Sequence, residues 1–316
     1  MIVPGKIVRV AATARLHLGF FDLGAGPGRH FGSLGLALDR PATRLTIAIA
    51  DRTIVEGEEC ERARRYLMTL VAAYGMSGQH ALTIEDAIPP HAGLGSGTQL
   101  ALAIGAGLHA LHGLPPDPRR DAMLLGRGAR SGIGIALFQA GGLAVDGGRG
   151  RNEQPPPQLA RLRVPEDWRV ILVLDQGCAG LSGAGEIAAF AALPPMSEGV
   201  SGTLCRLALM AALPALAEDD LAAFGAAITR MQAILGDHFA PAQGGRFTSR
   251  PVAAALERLT AAGAVGIGQS SWGPSGFAFT RGDREAARLA ALAAAPGLEI
   301  QICRARNDAA SLSFAD

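Results

Sequence analysis

Between residues 89 and 98 the chain reads Pro-Pro-His-Ala-Gly-Leu-Gly-Ser-Gly-Thr, and this run constrains everything around it. Apolar alternation over residues 81 to 88 suits a half-buried strand that the two prolines stop. From Thr98 the period changes. Leu100, Ile104, Leu108 and Leu111 recur at helical spacing, Ala101 and Gly105 leave a smooth strip for close packing, and Gly113 with Pro115 and Pro116 ends the helix. Glycines between a strand and a helix start bring backbone N–H groups close to an anion, and the helix end adds free donors and a positive dipole. The same glycines would also serve a plain tight turn.

Two phosphate loops can be tested against the run. A Walker A loop needs a lysine after its last glycine, yet Gly97 precedes Thr98 and Lys6 is the sole lysine. A Rossmann fingerprint wants glycine or alanine where Thr98 stands. Neither fits.

The length of 316 residues suggests two domains, with 1–158 and 159–316 as the division and the Gly-, Arg- and Pro-rich stretch 147–158 as linker. Hydrophobic residues make up 49% and charged residues 18%, so nothing points to disorder. A net charge of +1 gives no field for nucleic acid or anionic lipid. Lys6 stands alone, so 28 of the 29 basic residues are arginine. Arginine number is therefore uninformative and only its position counts. The four scattered cysteines form no Cys-x-x-Cys pair, which fits a reducing cytoplasm, and no run reads as long and apolar enough to span a bilayer.

Ahead of the loop, Arg15 to Asp22 and Gly28 to Asp39 crowd two arginines, two histidines and two aspartates among apolar and glycine residues. That crowding marks a site. His109 and His112 are spaced to share a metal but lack a third ligand nearby, and the reading preferred is surface histidines at a helix C-terminus. From Pro251 onward the order helix, strand, strand, helix, strand fits an α+β sandwich with an antiparallel sheet.

The run Pro89–Gly97 resembles the phosphate loop of the GHMP kinase superfamily, and Gly266–Gly276 is similar to that superfamily's third motif. The resemblance implies an α+β, two-domain fold: an N-terminal α/β domain of the ribosomal S5 domain 2-like kind and a C-terminal ferredoxin-like domain. More closely, Arg15–Asp22, Gly28–Asp39, Gly93–Leu100, Arg130–Ile135, Phe239–Gly245 and Gln269–Gly276 resemble the β-ribofuranosylaminobenzene 5'-phosphate synthase family. That family condenses 4-aminobenzoate with phosphoribosyl pyrophosphate in methanopterin biosynthesis, releasing carbon dioxide and pyrophosphate. The likeness implies a transferase of the pentosyltransferase type with His17, Asp22 and Arg29 as catalytic residues and Asp22 as a contact to magnesium. It implies substrate and phosphate binding by Arg15, Gly93, Leu94, Gly95, Ser96, Gly97, Thr98, Gln243, Gln269, Ser270 and Ser271. The expected partners are the two small-molecule substrates, with no nucleic acid, no membrane and a homodimeric state.

One departure separates the chain from many GHMP kinases, whose Ser-Gly-x-Asp stretch helps activate the attacking hydroxyl. Here Ser131-Gly132-Ile133 leads to Gly134. A GHMP-type kinase and a non-catalytic phosphometabolite-binding protein are the competing functions.

Overall fold

The computed structural model describes residues 6–24, 28–152, 154–181 and 183–315. Two long antiparallel strands, β1 (Ile7–Asp22) and β2 (Phe31–Ala50), begin the chain. They are followed by β3 (Ile54–Gly57), α1 (Cys60–Tyr74), β4 (Gln79–Asp86), α2 (Ser96–Leu111), α3 (Pro118–Leu124), α4 (Ile133–Ala140), β5 (Leu143–Asp146) and β6 (Gln158–Leu162). The second half runs β7 (Trp168–Asp175), α5 (Gly183–Ala192), α6 (Glu198–Leu207), α7 (Leu213–Ala217), α8 (Leu221–Gln243), α9 (Arg250–Ala261), β8 (Val265–Gln269), β9 (Gly276–Arg281), α10 (Asp283–Ala293), β10 (Leu298–Cys303) and β11 (Ser311–Ala315).

The strands form two sheets. The first has the order β11-β1-β2-β4-β3 with β5 and β6 branching from β2; the second is the antiparallel order β10-β7-β9-β8. Gln158 starts β6, which pairs with β5, and the last strand returns to β1. The first sheet therefore takes strands from both sides of residue 158.

Alternation decides which faces are buried. Along β1, Val8, Val10, Ala12, Ala14, Leu16 and Leu18 all point inward. Val8 and Val10 share a core with α1 and α2, whereas Leu16 and Leu18 join the largest core, shared with Val170, Leu172, Phe277 and Phe279 of the second sheet and Ile228, Met231 and Leu235 of α8. One strand thus serves both halves. Helix α1 buries Ala63, Tyr66, Leu67 and Leu70 at helical spacing and stops at Gly75 in the left-handed conformation. Helix α2 is buried nearly all round, and a Cβ at Gly107 would come 2.8 Å from Ile47 Cγ2, so glycine lets the helix lie close on the sheet.

Two expectations need correction. The helical run Glu198–Ala217 is long and apolar enough to cross a bilayer by length and composition. One stripe of it, Leu204, Ala208, Ala212, Ala215 and Leu216, packs into the largest core, while Leu209 and Met210 are exposed. His109 is not a surface residue. It is buried and pairs with Asp121 Oδ1 at 3.1 Å, while His112 Nε2 lies 2.8 Å from His80 Nε2.

Candidate active site

The glycine loop enters α2 through Gly95, whose φ of 81° is left-handed, preceded by Gly93 at 73° and His91 at 57°. The first bonds into the helix run from Thr98 N–H and Gln99 N–H to Gly95 O, at 3.1 and 3.0 Å, so the Ser96 and Gly97 amides at the helix start have no carbonyl partner within α2. They are free to meet an anion. Two guanidinium groups flank them. A Cβ at Gly95 would stand 3.0 Å from Arg15 Nε, and one at Gly97 would stand 3.1 Å from Arg127 Cζ.

Arg15 donates to Gly93 O at 2.7 Å, and its own amide donates to Leu94 O at 3.1 Å. Desolvation pulls its pKa from 12.5 down to about 10, partly offset by Glu186. It is still a cation at neutral pH. Arg127 bonds to Tyr66 Oη, and its buried Nε has no partner. A phosphate would supply the charge that these two groups lack.

The loop is clamped from the other half of the chain. Ser270 Oγ donates to Gly93 O at 2.7 Å and accepts the His17 amide at 3.0 Å; Ser275 Oγ donates to Ala92 O at 2.6 Å. The Gly180 amide donates to His91 O at 2.8 Å. A Cβ at Gly93 would overlap the Ser270 carbonyl oxygen, and one at Gly180 would overlap that of Gly273. Only glycine allows three loops to meet there.

Beside the clamp lies a small inner cleft of about 20 Å³, walled by Phe20, Leu235, Phe239 and Trp272 and rimmed by Gln243, Gln269 and Ser271. His17 lies in its wall, 4% exposed, with its ring 4.3 Å from that of Phe20. Burial first, and then Arg15, lower its pKa from 6.5 to about 3, so the ring is neutral at physiological pH. Gln269 and Gln243 bond to each other at 3.2 Å, and Gln269 Oε1 accepts the Thr248 amide at 2.7 Å. These amides brace the rim.

An outer cleft of about 470 Å³ opens at the far end of β1, lined by Asp22, His30, Phe31, Arg149, Phe190 and His238 among others. Asp22 Oδ1 accepts from Gly24 N at 2.7 Å and Ser201 Oγ at 2.9 Å. Seven residues of extended strand separate Asp22 from Arg15, roughly 20 Å along the strand. Arg29 is exposed and spends its donors on the carbonyl oxygens of Gly147 and Gly148, at 2.6 Å each, outside the linings of both clefts. The fold thus brings together Arg15, His17, residues 93–98, Gln243 and Gln269–Ser271, and sets Asp22 and Arg29 apart from them. Among the described residues no cluster of three or more His, Cys, Asp or Glu could hold a metal ion.

Sequence reasoning did not find Arg127, Phe190, Glu186 or Trp272. Phe190 of α5 sits between the clefts, with ring centroids 5.9 Å from Phe20 and Phe31 and 5.1 Å from Trp272. Arg130 stacks on it at 4.8 Å and pairs with Glu186 at 2.9 Å. A further buried carboxylate, Asp146, accepts from Ser33 Oγ at 2.5 Å and from the amides of Gly132 and Gly148 at 2.8 Å each, anchoring the segment that follows Arg130.

Comparison with known proteins then decides the family. Models of the GHMP kinases N terminal domain and the GHMP kinases C terminal region match residues 61–142 and 212–296. A β-ribofuranosylphenol 5'-phosphate synthase of Archaeoglobus fulgidus is 35% identical over 239 residues, covering 72% of this chain and 75% of that one. The chain belongs to that synthase family. It is an enzyme of the pentosyltransferase type on the GHMP kinase fold. The synthase of the same name from Methanothermobacter thermautotrophicus is 31% identical over 294 residues, 84% of this chain and 87% of that one. A 4-diphosphocytidyl-2-C-methyl-D-erythritol kinase of Gloeobacter violaceus is 30% identical over 314 residues, 96% and 95% of the two chains. The crystal structure of homoserine kinase from Cytophaga hutchinsonii superposes with a TM-score of 0.65 at 15% identity, covering 97% of each chain, and speaks for the fold alone.

Proposed function

We propose that the enzyme transfers the 5-phosphoribosyl group of phosphoribosyl pyrophosphate to the carboxylate-bearing ring carbon of a 4-substituted benzoate, releasing pyrophosphate and carbon dioxide. The observation that carries this reading is the adjacency of an anion cradle to an aromatic cleft. Arg15, which flanks the free α2 amides, stands two residues along β1 from His17, whose ring lies among phenyl and indole rings.

The bond changes balance without a proton acceptor. The ring carbon forms a bond to C1 of the ribose as the C1–O bond breaks and its electron pair leaves on pyrophosphate. The ring–carboxyl bond then breaks, its pair restores the aromatic ring, and carbon dioxide departs. Charge builds on the leaving pyrophosphate, where Arg15, Arg127 and the helix amides would stabilise it. The acceptor ring would be held over C1 against the aromatic group of Phe20, Phe190 and Trp272.

The donor set fits magnesium carried on a polyphosphate rather than a protein cage. Its ligands would be phosphate oxygens and water, because Asp22, roughly 20 Å along β1 from Arg15, does not reach a pyrophosphate held in the cradle. The ion would neutralise charge on the leaving group. A reducing cytoplasm, with Cys60, Cys178, Cys205 and Cys303 all free, and a homodimeric state complete the reading.

The acceptor's para substituent differs between the two sources of the assignment. The archaeal relatives are named for a phenol, whereas the motif resemblance carries an aminobenzene. Oxygen and nitrogen both push electrons into the ring, so the chemistry admits either. The kinase reading is opposed by Gly134, which stands where many GHMP kinases carry an aspartate; a Cβ there would lie 3.0 Å from Thr98 Cγ2, so Thr98 would have to give way.

Incubation with carboxyl-labelled 4-hydroxybenzoate or 4-aminobenzoate and phosphoribosyl pyrophosphate should release labelled carbon dioxide and pyrophosphate in equal amounts without ATP. ATP-dependent phosphorylation of an alcohol, with no label released, would replace this reading by a kinase.

A further inference from the structure

The outer cleft takes no part in the anion cradle, yet at about 470 Å³ it has room for a whole ring compound. Phe31, Phe190, Leu193 and Pro194 make its walls apolar, and among the described residues Asp22 is the only carboxylate in its lining. One oxygen of that carboxylate is already used. Asp22 Oδ1 accepts from the Gly24 amide at 2.7 Å and from Ser201 Oγ at 2.9 Å, which fixes the group in place. Oδ2 bonds to no described residue and is not sealed in the interior, so it opens on the cleft. A carboxylate oxygen can only accept, and this one calls for a donor on whatever fills the cleft.

The separation that keeps Asp22 from the pyrophosphate suits it to the other end of the reaction. Pyrophosphate on Arg15, C1 beside it, the attacking ring carbon at contact distance and a hydrogen-bonded para group beyond form a line roughly 15–18 Å long. Asp22 lies roughly 20 Å along β1 from Arg15. The way between them is continuous. Arg15 feels the charge of Glu186, Glu186 holds Arg130 at 2.9 Å, Arg130 covers the Phe190 ring at 4.8 Å, and Phe190 belongs to the cleft wall.

On the basis of the transfer reaction proposed above, we infer that the outer cleft takes the aromatic acceptor and that Asp22 is a catalytic residue whose Oδ2 accepts a hydrogen bond from the acceptor's para substituent. An O–H and an N–H both donate, so Asp22 does not choose between the two acids. It sets their direction. The acceptor's own carboxylate has no proton to give and is repelled by Asp22, so the carboxylate-bearing carbon turns toward the cradle, where C1 stands. Arg149 in the same lining would pull the other way, but it is exposed, and an ion pair in water is worth little. Asp22 then acts on the reaction itself. As the ring carbon bonds to C1, positive charge spreads to the para heteroatom and its hydrogen bond to the fixed anion strengthens. Loss of carbon dioxide returns an electron pair to the ring, the bond relaxes, and the proton stays on the heteroatom throughout.

4-Methoxybenzoate separates this bond from ring electronics, because its para oxygen pushes electrons into the ring but carries no hydrogen. Followed by release of labelled carbon dioxide, the wild-type enzyme should use it with kcat/KM roughly 10- to 100-fold below that for 4-hydroxybenzoate, the scale of a hydrogen bond to a charged group. Asp22→Asn keeps an oxygen for Gly24 and Ser201 and removes the charge. It should lower kcat for 4-hydroxybenzoate by a similar factor with KM little changed, and bring the hydroxy and methoxy acids within roughly threefold of each other. Leu193→Trp fills the cleft from its wall. It should raise KM for 4-hydroxybenzoate roughly fivefold or more and leave pyrophosphate affinity by calorimetry at the wild-type value. An unchanged KM in a Leu193→Trp enzyme that binds pyrophosphate normally overturns the placement of the acceptor. Equal use of the hydroxy and methoxy acids by the wild-type enzyme overturns the role of Asp22 with the transfer reaction standing, and needs no variant to fold. An Asp22→Asn enzyme that keeps the wild-type ratio does the same. Release of no carbon dioxide from either 4-hydroxybenzoate or 4-aminobenzoate by the wild-type enzyme would instead remove the reaction.

Discussion

Ser270 Oγ donates to the carbonyl oxygen of Gly93 at 2.7 Å across 177 residues of chain. The same hydroxyl accepts the His17 amide at 3.0 Å, so one buried atom ties the glycine loop, β1 and the second sheet together. Ser270→Ala would leave the Gly93 carbonyl and the His17 amide short of partners. It should cost about 1–3 kcal/mol of stability by denaturant unfolding and weaken phosphoribosyl pyrophosphate binding. Ser271→Ala, whose hydroxyl makes no hydrogen bond to another described residue, should leave stability within about 0.5 kcal/mol of wild type. Equal losses from the two changes would refute the clamp.

Much of this frame was legible in the sequence. Cys60–Tyr74 and the helix after the glycine loop announce themselves by period and by glycine or proline stops, and the helix–strand–strand–helix–strand series after residue 250 follows the same signals. Strand β11 was not legible, because its pairing with β1 joins Ser311 to Ala11 through tertiary register alone. Nor was the extent of α8, which runs on through Pro241 to Gln243, or of α3, which is only seven residues long. The site divides in the same way. The loop residues carry a local signal, but nothing local says which of 28 arginines approaches Gly97, or that Trp272 and Phe190 come within 5.1 Å of each other. Those are facts of packing.

Glycine at position 95 is required for two reasons that act together. Its φ of 81° strains any branched residue, and its missing side chain leaves space that Arg15 fills to within 3.0 Å. Gly95→Val should displace the Arg15 head group and reduce pyrophosphate affinity at least tenfold by calorimetry, about 1.4 kcal/mol. The strain predicts a loss of stability as well. A folded Gly95→Val protein that binds pyrophosphate normally would show that the loop is only a turn.

Glu186 holds Arg130 at 2.9 Å while Arg130 covers the Phe190 ring, so a carboxylate already engages a cation near the cradle. Arg15 feels the same charge. Glu186→Gln removes that competitor. Pyrophosphate binding should tighten by roughly two- to fivefold at low salt, the scale of a partly exposed ion pair, and the gain should shrink as salt rises. Arg130→Met should do the opposite. Weaker binding in Glu186→Gln would mean that the carboxylate supports the anion site through Arg130 instead of competing with it.

His17 gives a stability prediction whose sign is fixed by its burial. Its pKa falls from 6.5 in the open chain to about 3 in the folded protein, so between those values the unfolded state binds a proton that the native state does not. The contribution of the neutral ring is complete above pH 6.5 and is lost as pH falls toward 3, at up to about 1.4 kcal/mol per pH unit for one proton. His17→Phe should keep the ring's packing against Phe20 and abolish that part of the slope. Urea unfolding at several pH values between 4 and 7 should therefore show a flatter profile for His17→Phe than for wild type. Within pH 5 to 8 the wild-type activity profile should carry no limb that disappears in the variant, because His17 does not ionise there. Parallel stability profiles for the two proteins would mean that burial does not hold the imidazole neutral in the fold.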